Sequence, residues 1–313
     1  MSYTSTVVVT GASSGLGYET ALQIARTRPD LRVVICSRTG GGIADKINSL
    51  TGHTNVVYLQ LDLSTHAGTR AFAKSFTSHG FPPISVVVLN AGLQETDKVH
   101  MSSDGIELMF AVNHVNQALL FFCLRPHLLP TARVVIVASG MHSDKYRFSV
   151  DPHYTTAEAI AHPPTGKVYD TWKAGMKRYA ESKLCNVLFA YALHDRSDLL
   201  VTALDPGSMS TGLYRNTPGL FGSVWRWTLS TRVAKWYLSD KYETDFSAAT
   251  VTKMAIDPAF GSREKSGKYF VTVNAKEMRS SEQSYDKALQ KDLWDWTIKE
   301  VAQGDEEAAW KAL

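Results

Sequence analysis

The sequence predicts an α/β protein with a doubly wound parallel sheet. Short runs rich in β-branched residues alternate with longer segments whose composition suits helices. The runs are almost continuously apolar, which is typical of strands covered by helices on both faces. A repeated strand–helix–strand order implies right-handed crossovers and parallel strands. The predicted strands are 6–10, 31–37, 55–61, 84–89, 133–138, 199–204 and 267–273, and the predicted helices are 15–27, 43–51, 65–79, 104–129 and 168–195.

One domain is expected to span residues 1–313, because no segment outside this pattern carries a core of its own. Two segments, 141–167 and 208–254, break the alternation. Both follow strand ends at the edge where open α/β sheets bind ligands. We interpret 141–167 and 212–240 as flaps over a substrate. A C-terminal helix is predicted over about 281–311.

Composition argues against several classes of protein. The formal net charge of +3 gives no support to nucleic-acid binding. The apolar stretch 118–129 is interrupted by Arg125, Pro126 and His127, so no membrane span is predicted. The N-terminus lacks the basic and then apolar pattern of a secretory signal. The three cysteines are too scattered for a disulfide framework or a zinc site, so a cytoplasmic setting and no metal are expected.

The first predicted strand ends in a glycine-rich turn, TGASSGLG at 10–17. Glycine allows a tight turn and the close approach of a phosphate, and the following helix presents free N–H groups to a pyrophosphate. Such turns also occur without a ligand, and the spacing is not GxGxxG. Its place on the first strand nevertheless favours dinucleotide binding. The expected contacts are Gly11, Ser13, Ser14, Gly15, Leu16 and Gly17.

The end of the second strand predicts which dinucleotide binds. NAD would require an acid there, because a carboxylate hydrogen-bonds the ribose 2′-hydroxyl. The sequence instead has Ser37 and Arg38, with no acid until Asp45. The planar guanidinium of Arg38 suits a 2′-phosphate, so NADP is predicted. Asp62 and Leu63, after the third strand, are expected near the adenine, although Asp62 fits equally well as the cap of the next helix.

Further polar or turn residues lie at or near successive strand ends: Asn90-Ala91-Gly92, Asn113, Ser139, and Pro206-Gly207 with Thr211. Each of them alone is also typical of an ordinary turn or helix position. Together with TGxxxGxG and a YxxxK motif, they resemble the short-chain dehydrogenase/reductase family over roughly residues 5–275. SKLCN at 182–186, VNH at 112–114 and TGL at 211–213 are similar to the subgroup of retinol dehydrogenases, WW-domain oxidoreductases and protochlorophyllide reductase. The resemblance implies a Rossmann fold.

Two tyrosine–lysine pairs compete for the catalytic position in the segment YDTWKAGMKRYAESK. Residues four apart share one face of a helix, and an ammonium beside a phenol favours the ionised phenol. Tyr179 with Lys183 fits the family's YxxSK, which is expected to open the long helix before the sixth strand. Tyr169 with Lys173 lies next to Gly175, which disfavours a helix. The family resemblance therefore selects Tyr179 and Lys183.

The resemblance also implies roles for these residues. Tyr179 is expected to donate a proton to a carbonyl oxygen as hydride reaches the carbon, while Lys183 supports Tyr179 and holds the nicotinamide ribose. Ser139, with Ser143 as a second candidate, is expected to hydrogen-bond the substrate oxygen. Asn113 is expected to anchor a water in the proton relay. The remaining cofactor contacts that the resemblance implies are Asn90, Ala91, Gly92, Pro206, Gly207, Met209 and Thr211.

Three positions depart from the family pattern. Leu89 stands where the family's NNAG motif has its first asparagine. Ser139 and Tyr179 are 40 residues apart, which is much longer than the usual gap. Ser208 stands where protochlorophyllide reductase has a cysteine, which argues against the photochemical reaction.

The substrate is predicted to be apolar or aromatic, although the tryptophans fit equally well a role in covering the sheet or in an oligomer contact. Histidines of the first flap either contact polar groups of the substrate or are solvated. The candidate wall residues are Ile160, Trp172, Phe221, Trp225, Trp227 and Trp236, and the histidines are His142, His153 and His162.

The leading hypothesis is an NADP(H)-dependent carbonyl reductase or alcohol dehydrogenase that acts on a lipophilic or aromatic, secondary-metabolite-like small molecule. Three alternatives remain open at this point. They are reduction of an activated C=C bond, non-redox chemistry on the same scaffold, and a cofactor-binding protein without turnover. A homo-oligomer is possible, and the sequence does not decide it.

Overall fold

A computed structural model describes residues 3–144, 150–207 and 243–311. Within these residues eight strands form one sheet, in the order β3-β2-β1-β4-β5-β6-β7-β8. Strands β1 to β7 are parallel, and β8 joins the edge of the sheet antiparallel to β7. The predicted doubly wound parallel sheet is therefore confirmed. The strands are Ser5–Thr10 (β1), Leu31–Ser37 (β2), Val56–Gln60 (β3), Ile84–Leu89 (β4), Leu128–Val137 (β5), Leu200–Asp205 (β6), Lys268–Val271 (β7) and Lys276–Met278 (β8).

The helices occupy the crossovers between strands and the end of the chain. A π-helical turn, Ala111–Val115, separates the helix Leu108–Phe110 from the helix Asn116–Leu124. The helices are Gly15–Thr27 (α1), Ile43–Thr51 (α2), His66–Ser78 (α3), Leu108–Phe110 (α4), Asn116–Leu124 (α5), Ala157–Ala161 (α6), Trp172–Arg196 (α7), Thr244–Ile256 (α8), Lys287–Val301 (α9) and Glu306–Lys311 (α10).

Alternate residues of the central strands face two separate apolar cores. Val8 of β1 and Val87 of β4 belong to one core, which α3, α5, α7 and α9 cover. Val7 and Val88 belong to the other, which α1, α2 and α8 cover. Because successive side chains of a strand point to opposite faces, both faces of the sheet must be apolar and covered. This explains the nearly continuous apolar runs in the sequence.

One helical run among the described residues, Leu108–His127, is long and apolar enough to cross a membrane, with a mean hydropathy of 1.2. However, 83% of its most apolar window is buried inside the protein. Phe121 and Phe122 of this run pack into the larger core against Phe189. Burial in the core is sufficient reason for the apolar composition of this run.

Several predicted boundaries are wrong. The strand β5 begins at Leu128 rather than at 133, and β8 was not predicted. The C-terminal helix predicted over 281–311 is two helices, α9 and α10, after a 3₁₀ turn at Glu282–Tyr285. Asp286 caps α9 by accepting hydrogen bonds from the N–H groups of Ala288 and Leu289. Its capping side chain fixes where α9 begins.

The start of α7 also differs from the prediction. The helix begins at Trp172, with Thr171 as its N-cap, so Gly175 is helical and Tyr179 lies two turns inside rather than at the opening. A Cβ atom on Gly175 would lie 2.4 Å from the Cα of Thr96. This glycine therefore allows the helix to approach the backbone of another segment, and that requirement outweighs its low helix propensity.

Residues 150–162 of the predicted first flap are packed against α9 and do not overhang freely. Tyr154 is 2% exposed, and its hydroxyl donates to Asp292 of α9 at 2.7 Å. The N–H of Ala157 donates to the same carboxylate at 2.8 Å. Ile160, predicted to line the substrate pocket, lies in the larger core instead. The long Ser139–Tyr179 gap thus includes residues that bind the C-terminal helix. The second predicted flap, 212–240, lies outside the described residues.

Candidate active site

The glycine turn between β1 and α1 fits closely against two neighbouring segments. Gly11 has φ 68°, and a Cβ atom on it would lie 2.8 Å from the Cα of Ala91. Its N–H donates to the carbonyl of Cys36 in β2 at 2.8 Å. A Cβ atom on Gly17 would lie 2.6 Å from Nδ2 of Asn90. Glycine is therefore required by conformation at Gly11 and by space at both positions.

The first turn of α1 has the free donors that a phosphate needs. Ser14 is its N-cap, yet within the described part of the chain its side chain makes no capping hydrogen bond. The first turn also contains no acidic residue. The N–H groups and the positive end of the helix dipole are thus left for an anion.

A buried hydrogen-bond network holds the NAG turn beside the glycine turn. Oγ1 of Thr10 accepts hydrogen bonds from the N–H groups of Asn90 and Ala91, each at 2.9 Å. Gln117 of α5 joins both segments, since its Oε1 accepts from Thr10 at 2.9 Å and its Nε2 donates to Ala91 at 2.7 Å. The sequence did not identify Gln117, because its partners lie far away in the chain. The network keeps the carboxyl ends of β1 and β4 in register.

Asn113 lies in the π turn, fully buried, and both ends of its amide are bound. Its Oδ1 accepts from the N–H of Leu93 at 2.8 Å, and its Nδ2 donates to the carbonyl of Leu93 at 3.0 Å. Nδ2 also donates to Oγ of Ser182 at 2.9 Å, and Ser182 donates to the carbonyl of Tyr179 at 2.7 Å. π turns often occur at functional sites. Here the side chain of Asn113 connects the segment after Gly92 to the helix that carries Tyr179.

Tyr179 and Lys183 lie one turn apart on α7, and both are buried. Nζ of Lys183 lies 5.9 Å from the ring centre of Tyr179 and donates to the carbonyl of Val137 at 3.0 Å. Burial lowers the pKa of Lys183 to about 8, and the negative charge of Asp205 opposes this. A Cβ atom on Gly92 would lie 3.4 Å from Nζ. The lysine is thus fixed between the ends of β4 and β5.

Ser139 follows β5 and caps a short 3₁₀ turn, where its Oγ accepts from the N–H of Met141. His142, predicted either to contact substrate or to be solvated, does neither. It is 2% exposed and bonded through both ring nitrogens, to the carbonyl of Ser139 and to the N–H of Ser281. Ser143, the second candidate, makes a hydrogen bond to Asp144.

The other predicted substrate contacts lie on the surface or outside the described residues. His153 bonds Gln283, and His162 pairs with Glu158. Trp172 is 43% exposed at the start of α7. The remaining wall candidates, outside the described residues, are Phe221, Trp225, Trp227 and Trp236.

Arg38 and Asp62 differ in their relation to the cleft. Arg38 is exposed and lines it, and its guanidinium has no ion-pair partner within the residues that the structure describes. Asp62 does not line it, although Leu63 and Ser64 do. Oδ1 of Asp62 accepts from the N–H and the hydroxyl of Ser64. The cap of α3 is Thr65, so the alternative in which Asp62 caps that helix is wrong.

A cleft of about 490 Å³ brings the ends of the parallel strands together. It extends from Arg38, past the glycine turn and the NAG turn, to Tyr179 and Lys183. The predicted residues that line it are Gly11, Ser13, Ser14, Gly15, Leu16, Arg38, Leu63, Asn90, Ala91, Gly92, Tyr179, Lys183 and Pro206. The predicted residues that are not among its lining residues are Gly17, Asp62, Asn113, Ser139 and Gly207, whereas Met209 and Thr211 are outside the described residues.

Several lining residues were not predicted from the sequence. Their residue types do not by themselves indicate a cofactor or substrate contact. Only their proximity in the sequence to a predicted motif could have indicated them. They are Ser37, Thr39, Leu61, Ser64, Leu93, Gln94, Val112, Val137 and Ala138.

A family model described as short chain dehydrogenase matches residues 5–164. The chain belongs to the short-chain dehydrogenase family. The matched residues include the glycine turn and the NAG turn, which line the cleft, together with the π turn and Ser139. The Tyr179–Lys183 pair lies beyond the matched part.

Relatives of this short-chain dehydrogenase include members of the predicted subgroup, which is confirmed. It is 34% identical over 223 residues to dehydrogenase/reductase SDR family member 13 of Bos taurus, which covers 68% of this chain and 54% of that protein. It is 32% identical to human retinol dehydrogenase 11, in an alignment that covers 71% of this chain and 66% of that protein. It is 28% identical to the WW domain-containing oxidoreductase of Danio rerio, in an alignment that covers 92% of this chain and 66% of that protein. The chain thus spans about half to two thirds of these relatives.

Solved structures share the fold of this short-chain dehydrogenase. An uncharacterized protein from Mycobacterium Paratuberculosis superposes with a TM-score of 0.65 at 24% identity, covering 96% of this chain and 94% of that one. The NADPH-bound carbonyl reductase from chicken fatty liver gives 0.60 at 18% identity, covering 89% and 99%. At such identities the likeness supports the fold alone.

Proposed function

We propose that this protein transfers a hydride between NADP(H) and a carbonyl or secondary alcohol group of an apolar, often aromatic, small molecule. The observation that carries the proposal is one cleft shared by the glycine turn, Arg38 and the Tyr179–Lys183 pair. A dinucleotide needs a pyrophosphate site, an adenosine site and a reactive end in one continuous groove. The cleft has a candidate for each, with Arg38 at the adenosine end, the glycine turn in the middle and Tyr179 with Lys183 at the reactive end.

The residues of the cleft fit the cofactor in shape and charge. Gly11 and Gly17 leave no room for a Cβ atom, so the turn that would hold the pyrophosphate packs directly against Ala91 and Asn90. The uncapped start of α1 supplies N–H donors for it. Arg38, without an acid beside it at the end of β2, favours the 2′-phosphate of NADP over the free hydroxyl of NAD. The NADPH in the chicken carbonyl reductase agrees with this preference.

When bound, NADP(H) supplies or accepts the hydride. Tyr179 donates a proton to the substrate oxygen during reduction and accepts it back during oxidation. Lys183 is held near Tyr179 by its hydrogen bond to Val137, and its positive charge favours the ionised phenol. With a pKa of about 8, Lys183 keeps that charge at neutral pH.

Ser139 assists at the substrate oxygen. Its hydroxyl accepts a hydrogen bond from Met141, so its own hydrogen remains available to donate to the substrate. Asn113 and Ser182 orient the segments that carry the reacting groups, because their hydrogen bonds link Leu93 to the carbonyl of Tyr179. These two residues position Tyr179 and need not contact the substrate.

The buried apolar packing around Tyr179 favours an apolar substrate. Met109, Met141 and Met176 form a small cluster with Val150 and Tyr179. The three methionines and Val150 are buried and are not among the residues that line the cleft, so they give Tyr179 apolar surroundings from within the protein. A cytoplasmic location stays a prediction from the sequence, and the oligomeric state stays open.

The test is turnover by the purified chain. It would be mixed with NADPH or NADH and with acetophenone, 1-tetralone or 2-cyclohexenone, and products would be identified by NMR. We expect NADPH-dependent formation of the alcohol from the aromatic ketones. NADPH binding without conversion of any ketone would contradict the proposed reaction, and reduction of only the C=C bond of 2-cyclohexenone would favour the alternative chemistry.

A further inference from the structure

Gln94 carries a buried oxygen atom that nothing described in the protein satisfies. The residue is 4% exposed and lines the cleft two positions after Gly92. Its Oε1 atom is closed to solvent and has no hydrogen-bond partner within residues 3–144, 150–207 and 243–311. No motif in the sequence singles out this glutamine.

The position of Gln94 is firmly set from both sides. The preceding residue, Leu93, is held at its N–H and at its carbonyl by Asn113. The Nε2 atom of Gln94 donates to the sulfur of Met176. Met176 lies three residues before Tyr179 on α7, so the two share a face of the helix. Gln94 is therefore a polar group at the edge of the apolar cluster that surrounds Tyr179.

Packing alone does not explain a glutamine here. A buried amide oxygen without a partner costs about 1–3 kcal/mol, and a thioether is only a weak acceptor for the other end of the amide. A methionine would fill nearly the same volume in this apolar surrounding without that cost. As far as the described residues show, an unfavourable group thus remains at the substrate end of the cleft, where a ligand could satisfy it.

We infer that Gln94 is a specificity-determining residue that accepts a hydrogen bond from a hydroxyl or N–H group of the substrate. The inference rests on the proposed function, because it assumes that the carbonyl is held at Tyr179. Met176 precedes Tyr179 by three residues, a rise of roughly 5 Å along the helix. The preferred substrates are therefore ring ketones, or the corresponding alcohols, with a donor group about one ring away from the reacting carbon.

Access to the oxygen requires a small rearrangement. Oε1 is shielded in the free protein, and its neighbour Met176 is an unbranched side chain with three rotatable bonds. Rotation of this thioether would release Nε2, so that the amide of Gln94 can turn its oxygen toward the cleft without a movement of the backbone. A buried polar group that a substrate satisfies discriminates strongly between that substrate and an analogue without the donor, because the analogue leaves the group unpaired.

The test measures binding of a donor and of a matched non-donor that do not react. Dissociation constants of 2-naphthol and 2-methoxynaphthalene would be measured by calorimetry for the full chain, with and without NADP⁺. The variants are Gln94→Met, which removes the acceptor at similar volume, and Gln94→Glu, which keeps one. Thermal unfolding would verify that each variant is folded.

We expect the unmodified protein to bind 2-naphthol about tenfold more tightly than its methyl ether, as one hydrogen bond to a buried acceptor provides. The ratio should fall to about one in Gln94→Met and persist in Gln94→Glu. A ratio near one in the unmodified protein, or an unchanged ratio in Gln94→Met, would overturn the inference.

A second measurement does not depend on any variant being stable. In the ¹⁵N-labelled protein, the side-chain amide resonance of Gln94 should shift on addition of 2-naphthol and much less with the methyl ether. Equal shifts with both probes would also count against the inference. Because neither probe is reduced, these results are separate from the turnover experiment: ketone reduction with no preference for 2-naphthol would leave the proposed function intact.

Discussion

Nε2 of His142 accepts a hydrogen bond from the backbone N–H of Ser281 at 3.1 Å, across 139 positions of the chain. Since a backbone N–H can only donate, Nδ1 of the same ring carries the proton and donates to the carbonyl of Ser139 at 2.7 Å. The imidazole is therefore neutral and joins the end of β5 to the segment before α9. The residue proposed to hydrogen-bond the substrate depends in this way on the C-terminal part of the chain.

This pair predicts a pH-dependent stability. Burial lowers the pKa of His142 to about 4 from an ordinary 6.5, so between these values the unfolded chain binds the proton that the folded chain excludes. Stability is then fully present above pH 6.5 and falls as the pH drops toward 4. We expect His142→Gln to lower the melting temperature at pH 7 by several degrees, because one buried hydrogen bond is lost at about 1–3 kcal/mol. Between pH 7 and pH 5, the melting temperature of His142→Gln should fall by less than that of the unmodified protein.

Calorimetric melting curves at both pH values measure these changes in the melting temperature. His162→Gln, a change at an exposed histidine, is the control. Identical pH responses of His142→Gln and the unmodified protein would show that His142 is not the group that titrates. The buried His114, whose pKa is also lowered, contributes equally to both proteins and cancels in the comparison.

Removal of the phenol hydroxyl should separate chemistry from binding. Tyr179→Phe keeps the ring in its apolar cluster, so folding and NADPH affinity should survive, while kcat for ketone reduction falls about 10²–10⁴-fold. Tyr169→Phe is the matched control, because Tyr169 precedes α7 and is 41% exposed. Stopped-flow and steady-state kinetics would measure both. A large loss in Tyr169→Phe with activity retained in Tyr179→Phe would mean that the wrong pair has been assigned.

The charge of Arg38 should set the cofactor preference. Arg38→Leu is expected to weaken NADPH binding about tenfold, since a charge-assisted contact at an exposed site lies at the lower end of about 1.5–3 kcal/mol. NADH binding should change little, and Arg38→Asp should reverse the preference. Arg26→Leu, an exposed arginine at the opposite end of α1, is the control. Titrations followed by NADPH fluorescence provide the affinities, and equal affinities for NADPH and NADH in the unmodified protein would refute the assignment.

The close approach of α7 to Thr96 makes Gly175 sensitive to a single methyl group. Helix propensity alone predicts that Gly175→Ala stabilises the protein by about 1 kcal/mol. Instead we expect a net loss of stability, since a Cβ atom 2.4 Å from backbone forces a shift that costs about 1–3 kcal/mol. Gly41→Ala, where no atom lies within 4 Å, is the control. Urea denaturation measures the difference, and a more stable Gly175→Ala protein would contradict the packing described here.

The sequence predicted those features whose cause is local. Continuous β-branched runs mark strands covered on both faces, which is why seven of the strands were located, several of them to within one residue. Turn glycines mark positions that no other residue fits, and Gly11 has the positive φ that its place in the turn suggests. The order of motifs along the chain was enough to indicate a family, because each motif follows a strand whose end is fixed by the fold.

Contacts between distant segments were decided only by the tertiary structure. The sequence disfavoured a helix at Gly175 because propensity was the only information available, and the approach of Thr96 reversed that conclusion. The sequence did not decide whether His142 contacts the substrate or is solvated, whereas in the structure the ring is buried between Ser139 and Ser281. The unpaired oxygen of Gln94 is equally invisible in a list of residues. Whether a polar group is satisfied depends on which atoms surround it, and only the packing of helices against the sheet determines those neighbours.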